Sequence, residues 1–177
     1  ALKTVCTQIE KTLNPLAIEV LYIVNNAAVL EPIRPASQIE LNELNQHIQV
    51  NVTAPIHMMN TFLNYGLRKD IKVIGVMITS GAADQPIYGW SLYGSMKASL
   101  DAYTKTVALE QKILKTKHQI IAFNPGIMDT DMQAMIRSST KDQFIDVERF
   151  RAYKENSQLR HPDDVAQVLV DVMLNDR

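Results

Sequence analysis

Several things are scarce in this chain of 177 residues, and each shortage narrows what it can be. There is one cysteine, Cys6, so no disulfide closes within the chain, and a reducing compartment, the cytoplasm by default, is the expected setting. Net charge is only −1, with 18 Lys and Arg against 19 Asp and Glu. That balance offers nothing to attract nucleic acid or an anionic membrane, and neither is expected as a partner. No apolar run approaches the ~20 residues of a membrane helix. The four histidines, His47, His57, His118 and His161, have no metal-ligand spacing, so surface or helix-face roles and no metal are expected. Glycine is sparse as well: there are six, and none falls in a Gly-x-x-x-Gly-x-Gly pattern.

What is present is a regular alternation. Hydrophobic residues make up 46% and charged residues 21%, as in an ordinary globular protein, and residues 1–177 are expected to form a single domain. Leu2, Val5, Ile9 and Leu13 keep helical spacing until Asn14-Pro15. The run from Val20 to Val24 reads as a strand buried on both faces and ends in Asn25-Asn26. One long helix is predicted over Ile39–Leu67, kinked at Pro55, then a strand over Val73–Ile78 leading into Thr79-Ser80-Gly81. A second long helix is predicted over Ser91–Leu114 and a third strand over Gln119–Phe123, stopped by Asn124-Pro125-Gly126. Shorter helices are expected at Thr130–Ile136 and Phe144–Glu155, and Pro162-Asp163-Asp164 opens a last one. Strands alternating with helices imply an α/β fold, a doubly wound parallel sheet of Rossmann type with helices on both faces. Such sheets bind ligands beyond the carboxyl ends of their strands, where Asn25-Asn26, Ser80 and Pro125-Gly126 collect.

Tyr93 and Lys97 are four apart on a predicted helix and share a face. A phenol near pKa 10 is a poor proton donor at neutral pH, and an adjacent ammonium lowers that value, so the pair makes a plausible general acid with its tuner. Ser80, thirteen residues earlier at a strand end, is placed to donate to the same substrate oxygen. Asn51, between Val50 and Val52, needs buried partners or is satisfied near the Pro55 kink.

Asn51, Ser80 and Tyr93-x-x-x-Lys97, with Asn25-Asn26-Ala27-Ala28 before them and Pro125-Gly126…Thr130 after, resemble the short-chain dehydrogenase/reductase family from about Val20 to the last helix. The string Gln85-Pro86-Ile87-Tyr88-Gly89-Trp90-Ser91-Leu92-Tyr93 and the stretch Asn124–Met132 are similar to the sepiapterin reductase-like group, which includes bacterial benzil reductases that form (S)-benzoin. The resemblance implies an NADPH-dependent reductase of ketones or vicinal dicarbonyls. Sepiapterin reductase proper and a non-catalytic NADP-binding scaffold remain as alternatives. It implies that Tyr93 protonates the nascent alkoxide, that Lys97 lowers the Tyr93 pKa and bonds the nicotinamide ribose, and that Ser80 polarises the carbonyl. Asn51 is implied to hold a water leading to solvent, Asn25 to touch the cofactor, and Ile127 (through its backbone) and Thr130 to bind the nicotinamide carboxamide. Trp90 and Tyr88 are expected to line an aromatic pocket, Met128, Met132 and Met135 to form a mobile lid, and the two long helices to pair in a homodimer.

Two departures stand out. The family opens with a strand, a Gly-rich turn and a helix holding the pyrophosphate, and nothing of that kind lies within these residues. The chain is therefore expected to be the C-terminal part of the domain, with the cofactor-binding half before Ala1 and more chain after the last helix. Ala28 also stands where the family usually carries glycine.

Overall fold

A computed structural model describes residues 1–175; the last two residues of the expected 1–177 unit lie outside the described residues. The elements are α1 (Leu2–Leu13), β1 (Val20–Asn25), α2 (Leu41–Ile48), α3 (Ala54–Lys69), β2 (Lys72–Ile78), α4 (Ser91–Ile113), β3 (Gln119–Phe123), α5 (Asp131–Ser138), α6 (Val147–Glu155) and α7 (Pro162–Asn175). The strands form a parallel sheet in the order β1-β2-β3, with Val20 opposite Lys72 and Ile74 opposite Gln119.

Side chains of β2 alternate between two cores, as a strand's period of two requires. Val73 and Met77 pack with Met59 and Leu63 of α3, Val107 of α4 and Ile120. Ile74, Val76 and Ile78 pack with Leu169 and Met173 of α7 on the opposite face. Helices thus cover both faces of a Rossmann-like α/β sheet. Gly75 belongs to the first face, and a Cβ there would stand 2.4 Å from the Met59 sulfur, so the thioether fills the notch the missing side chain leaves.

β1 departs from expectation. It is only half-buried, with Val24 43% exposed, and among the described residues it pairs with β2 alone. Of the three strands, β2 is the one buried on both faces.

The predicted long helix exists in three pieces. Between α2 and α3, Gln49–Thr53 forms a π-helical turn in which the Ala54 N–H donates to the Gln49 carbonyl. Pro55 is the cause: it has no N–H to give the Asn51 carbonyl at the α-helical spacing, and its ring crowds that carbonyl. Glu40 and Glu43 close a capping box at the start of α2. No helix among the described residues is long and apolar enough to cross a membrane.

Candidate active site

The carboxyl ends of the three strands open into one cleft of about 910 Å³. Asn26 after β1, Thr79 and Ser80 after β2, and Asn124 to Gly126 after β3 all line it. From the far side come α4, with Trp90, Tyr93 and Lys97, and the α5–α6 pair, with Met132, Ile136, Phe150 and Tyr153. Gly126 turns the chain away from β3 with a φ of +73°, helped by the Asn124 side chain, whose oxygen accepts from the Gly126 N–H at 3.0 Å.

Ser80 caps the short turn after β2, its hydroxyl oxygen accepting from the Ala82 N–H at 3.2 Å. That leaves its own proton to donate into the cleft. The turn abuts α4 at Gly94, where a Cβ would sit 2.9 Å from the Ala82 carbonyl oxygen. Only glycine lets the helix approach so closely, and that approach sets the Ser80 hydroxyl beside the Tyr93 phenol. Tyr93 is 7% exposed, and burial raises its pKa; the neighbouring Ser80 hydroxyl pulls it part of the way back. Lys97 is 3% exposed and donates from Nζ to the Ile78 carbonyl at 2.7 Å. Burial pulls its pKa down to about 8, with Asp101 pulling the other way. The ammonium lies 5.6 Å from the centre of the Tyr93 ring. The net direction for Tyr93 is thus upward, set by desolvation of the phenol, while the Lys97 ammonium gives one of its three protons to the Ile78 carbonyl and keeps two free to donate.

Asn51 is 1% exposed in the π-turn, and its side chain holds the loop after β1. Its Oδ1 accepts from the Val29 N–H at 2.9 Å, and its Nδ2 donates to the Val29 carbonyl at 2.7 Å. With the side chain so committed, the group Asn51 can offer a water is its backbone carbonyl. The turn packs against α4, the helix that carries Lys97.

Asn25 does not line the cleft. It is the last residue of β1, paired with Met77, and its Nδ2 is buried without a hydrogen-bond partner. Val24 and Asn26 on either side of it do face the cleft, as strand alternation demands, so Asn26 is the asparagine that a ligand would meet. Ile127 and Thr130 both line the cleft. The Ile127 carbonyl accepts from the Arg160 N–H at 3.0 Å, which fixes the backbone there at the cleft wall. The Thr130 hydroxyl caps α5 at Gln133 over 3.4 Å.

Trp90 is 7% exposed and stacks on Phe144 at 5.4 Å, with Tyr93 and Phe150 edge-on or tilted around it. Tyr153 continues the cluster from Phe150. Tyr88 is exposed and lies off the cleft, one residue before Gly89, whose φ is +79°. Met128 and Met132 line the cleft, whereas Met135 is turned away and Ile136 holds the inward position one turn after Met132. His47 and His118 are buried, not on the surface. Phe144, Phe150 and Tyr153 were not singled out from the sequence; for the last two, the aromatic spacing on α6 was the available signal.

The family model described as short chain dehydrogenase matches residues 1–141. A benzil reductase ((S)-benzoin forming) of Bacillus subtilis is 43% identical over 85% of this chain and 62% of its own length. A sepiapterin reductase of Xenopus tropicalis is 30% identical over 71% of the chain and 48% of its own. The crystal structure of the KRED1-Pglu enzyme superposes with a TM-score of 0.85 at 26% identity, over 98% of this chain and 70% of that one. The chain thus spans less than two thirds of the length of these curated relatives. With that match, and a serine, tyrosine and lysine gathered at the strand ends, the chain belongs to the short chain dehydrogenase family, in its benzil reductase-like group.

Proposed function

We propose that the protein is a carbonyl reductase using NADPH, with Tyr93 as proton donor, Ser80 as the hydroxyl that polarises the carbonyl, and Lys97 behind them. The observation carrying this is the convergence of the three side chains on one cleft from two different elements. The lining fits the nicotinamide-ribose end of a dinucleotide: a buried ammonium, the Thr130 hydroxyl, the Ile127 N–H and the open approach at Gly126, where a Cβ would meet nothing within 4 Å. The chemistry a nicotinamide cofactor held there would supply is hydride transfer to a carbonyl carbon.

The chain's own groups do the rest. Ser80 donates to the carbonyl oxygen and stabilises charge as it develops. Tyr93, kept protonated by its burial, gives its proton to the same oxygen. Lys97, held by the Ile78 carbonyl, is placed to reach a ribose hydroxyl and to favour phenolate after transfer. Asn51, through the backbone carbonyl that Pro55 leaves without its α-helical donor, holds the water that returns the proton. Asn26, which lines the cleft beyond β1, would be a residue the cofactor meets.

The substrate class proposed is a ketone beside a second carbonyl and an aromatic ring, such as benzil. The aromatic wall of Trp90, Phe150 and Tyr153 supports it, as does the benzil reductase relative. A homodimer formed through α3 and α4 is proposed as well, since Leu67, Leu109, Ile113 and Leu114 are exposed there. The test is NADPH oxidation by the full chain with benzil, sepiapterin and simple ketones, for the parent and Tyr93→Phe. A loss of about 10²- to 10⁴-fold in the variant is expected, with benzil preferred. Equal rates for parent and variant would leave a scaffold, and no preference for dicarbonyls would remove the substrate class.

A further inference from the structure

The side-chain amide of Asn51 has an oxygen and a nitrogen end of nearly the same shape, and something must decide which end meets which neighbour. The Val29 N–H and carbonyl fix which end faces which, and His47, one helical turn earlier, engages the remaining amide proton and so holds the amide in that setting. The imidazole is 1% exposed, and its Nε2 lies 2.8 Å from the Glu31 carbonyl oxygen. A carbonyl only accepts, so Nε2 carries the ring proton and Nδ1 is bare. Nδ1 in turn can only accept, and it does so from Asn51 Nδ2 at 2.9 Å. The second amide proton of Asn51 is thereby used, and Oδ1 is left for the Val29 N–H.

One chain of hydrogen bonds therefore runs from the Glu31 carbonyl through the His47 ring and the Asn51 amide to both polar groups of Val29. It fastens the loop after β1 to α2 and the π-turn. The same loop supplies Asn26, Ala27, Ala28 and Leu30 to the cleft. An apolar side chain of equal volume would fill the site but would orient nothing.

We propose that His47 is a positioning residue for the reductase site: it touches neither substrate nor cofactor, and acts by setting Asn51 and, through it, the cleft-lining loop. This rests on the reductase reading above. The test uses the full chain carrying His47→Phe, His47→Gln, Asn51→Ala, and His47→Phe with Asn51→Ala. His47→Phe is expected to lower kcat roughly tenfold with little change in KM for the carbonyl substrate. His47→Gln, which can both accept and donate, should recover most of the loss. Because His47 works through Asn51, His47→Phe should cost nothing further in the Asn51→Ala background. Independently of catalysis, hydrogen exchange at the Val29 amide should quicken in His47→Phe and in Asn51→Ala, and no further in the double. Losses that multiply in the double variant, or Val29 exchange unchanged by His47→Phe, would overturn the proposal. If the Phe variant fails to fold, His47→Gln against His47→Asn, too short to reach both partners, carries the same comparison. A parent without reductase activity would defeat the reading of the site, and the exchange data would still decide the role of His47.

Discussion

Lys97 carries two properties of the site at once. Its buried ammonium titrates near pH 8 in the folded chain and near its ordinary 10.5 when unfolded. Below pH 8 both states hold the proton, and the folded state bears a cost of roughly 3 kcal/mol. Between about 8 and 10.5 the unfolded state binds more protons, so stability rises with pH across that window. Replacing Lys97 with Met removes the titration. From pH 7 to pH 9 the stability difference between parent and K97M should move in the parent's favour by about 1 kcal/mol, read from urea melts at each pH. A gap that stays constant would mean the ammonium is better solvated than its 3% exposure implies. At this scale the sequence was informative where chemistry depends on residue type. Ser80, Tyr93 and Lys97 could be named because few other arrangements use that trio. It misled where the answer depends on parity or on desolvation. Asn25 and Asn26 are chemically identical, and only the strand's end decides which of them faces the cleft. The direction of the Tyr93 shift depends on how deeply the phenol is buried, which no spacing reveals.

Among the elements, two contacts set the geometry. The first is the crossing of α4 over the Ser80 turn at Gly94. Gly94→Ala should prise them apart, costing about 1–3 kcal/mol of stability and lowering kcat more than KM; thermal melts and steady-state rates on the full chain would show it. The second is the π-turn. Pro55→Ala restores an N–H and favours regular helix through Asn51, which would rotate that residue off Val29. The expectation is a slower protein that also loses stability where the buried Val29 groups lose their partner, and a variant that keeps full activity would argue that the turn has no part in the site. The long helix was readable because Leu41, Leu44, Ile48, Val52 and Ile56 keep helical step. The π-turn was not, because one residue of slippage barely disturbs that rhythm and a proline predicts a break without its form. Strand existence was readable for the same reason as the helix. The exposure of β1 was not, since an apolar run looks alike in the middle of a sheet and at its side.

For the molecule as a whole, the three parallel strands are joined by long crossovers, so most sheet contacts are distant in sequence and slow folding is expected relative to helical proteins of this size. The exposed row on α3 and α4 belongs to this scale. Light scattering on the full chain should give twice the chain mass, and Ile113→Arg, on a residue 69% exposed, should halve it without loss of helix signal. A parent that runs as a monomer would end the dimer reading.

The thioether seated over Gly75 has its own consequence. Met59 has no exposed surface, so peroxide can reach its sulfur only when the sheet and α3 briefly separate. Sulfoxide accumulating at that one position, followed by mass spectrometry, would therefore serve as a clock counting such openings, and any small molecule that braces the protein should make the clock run slow.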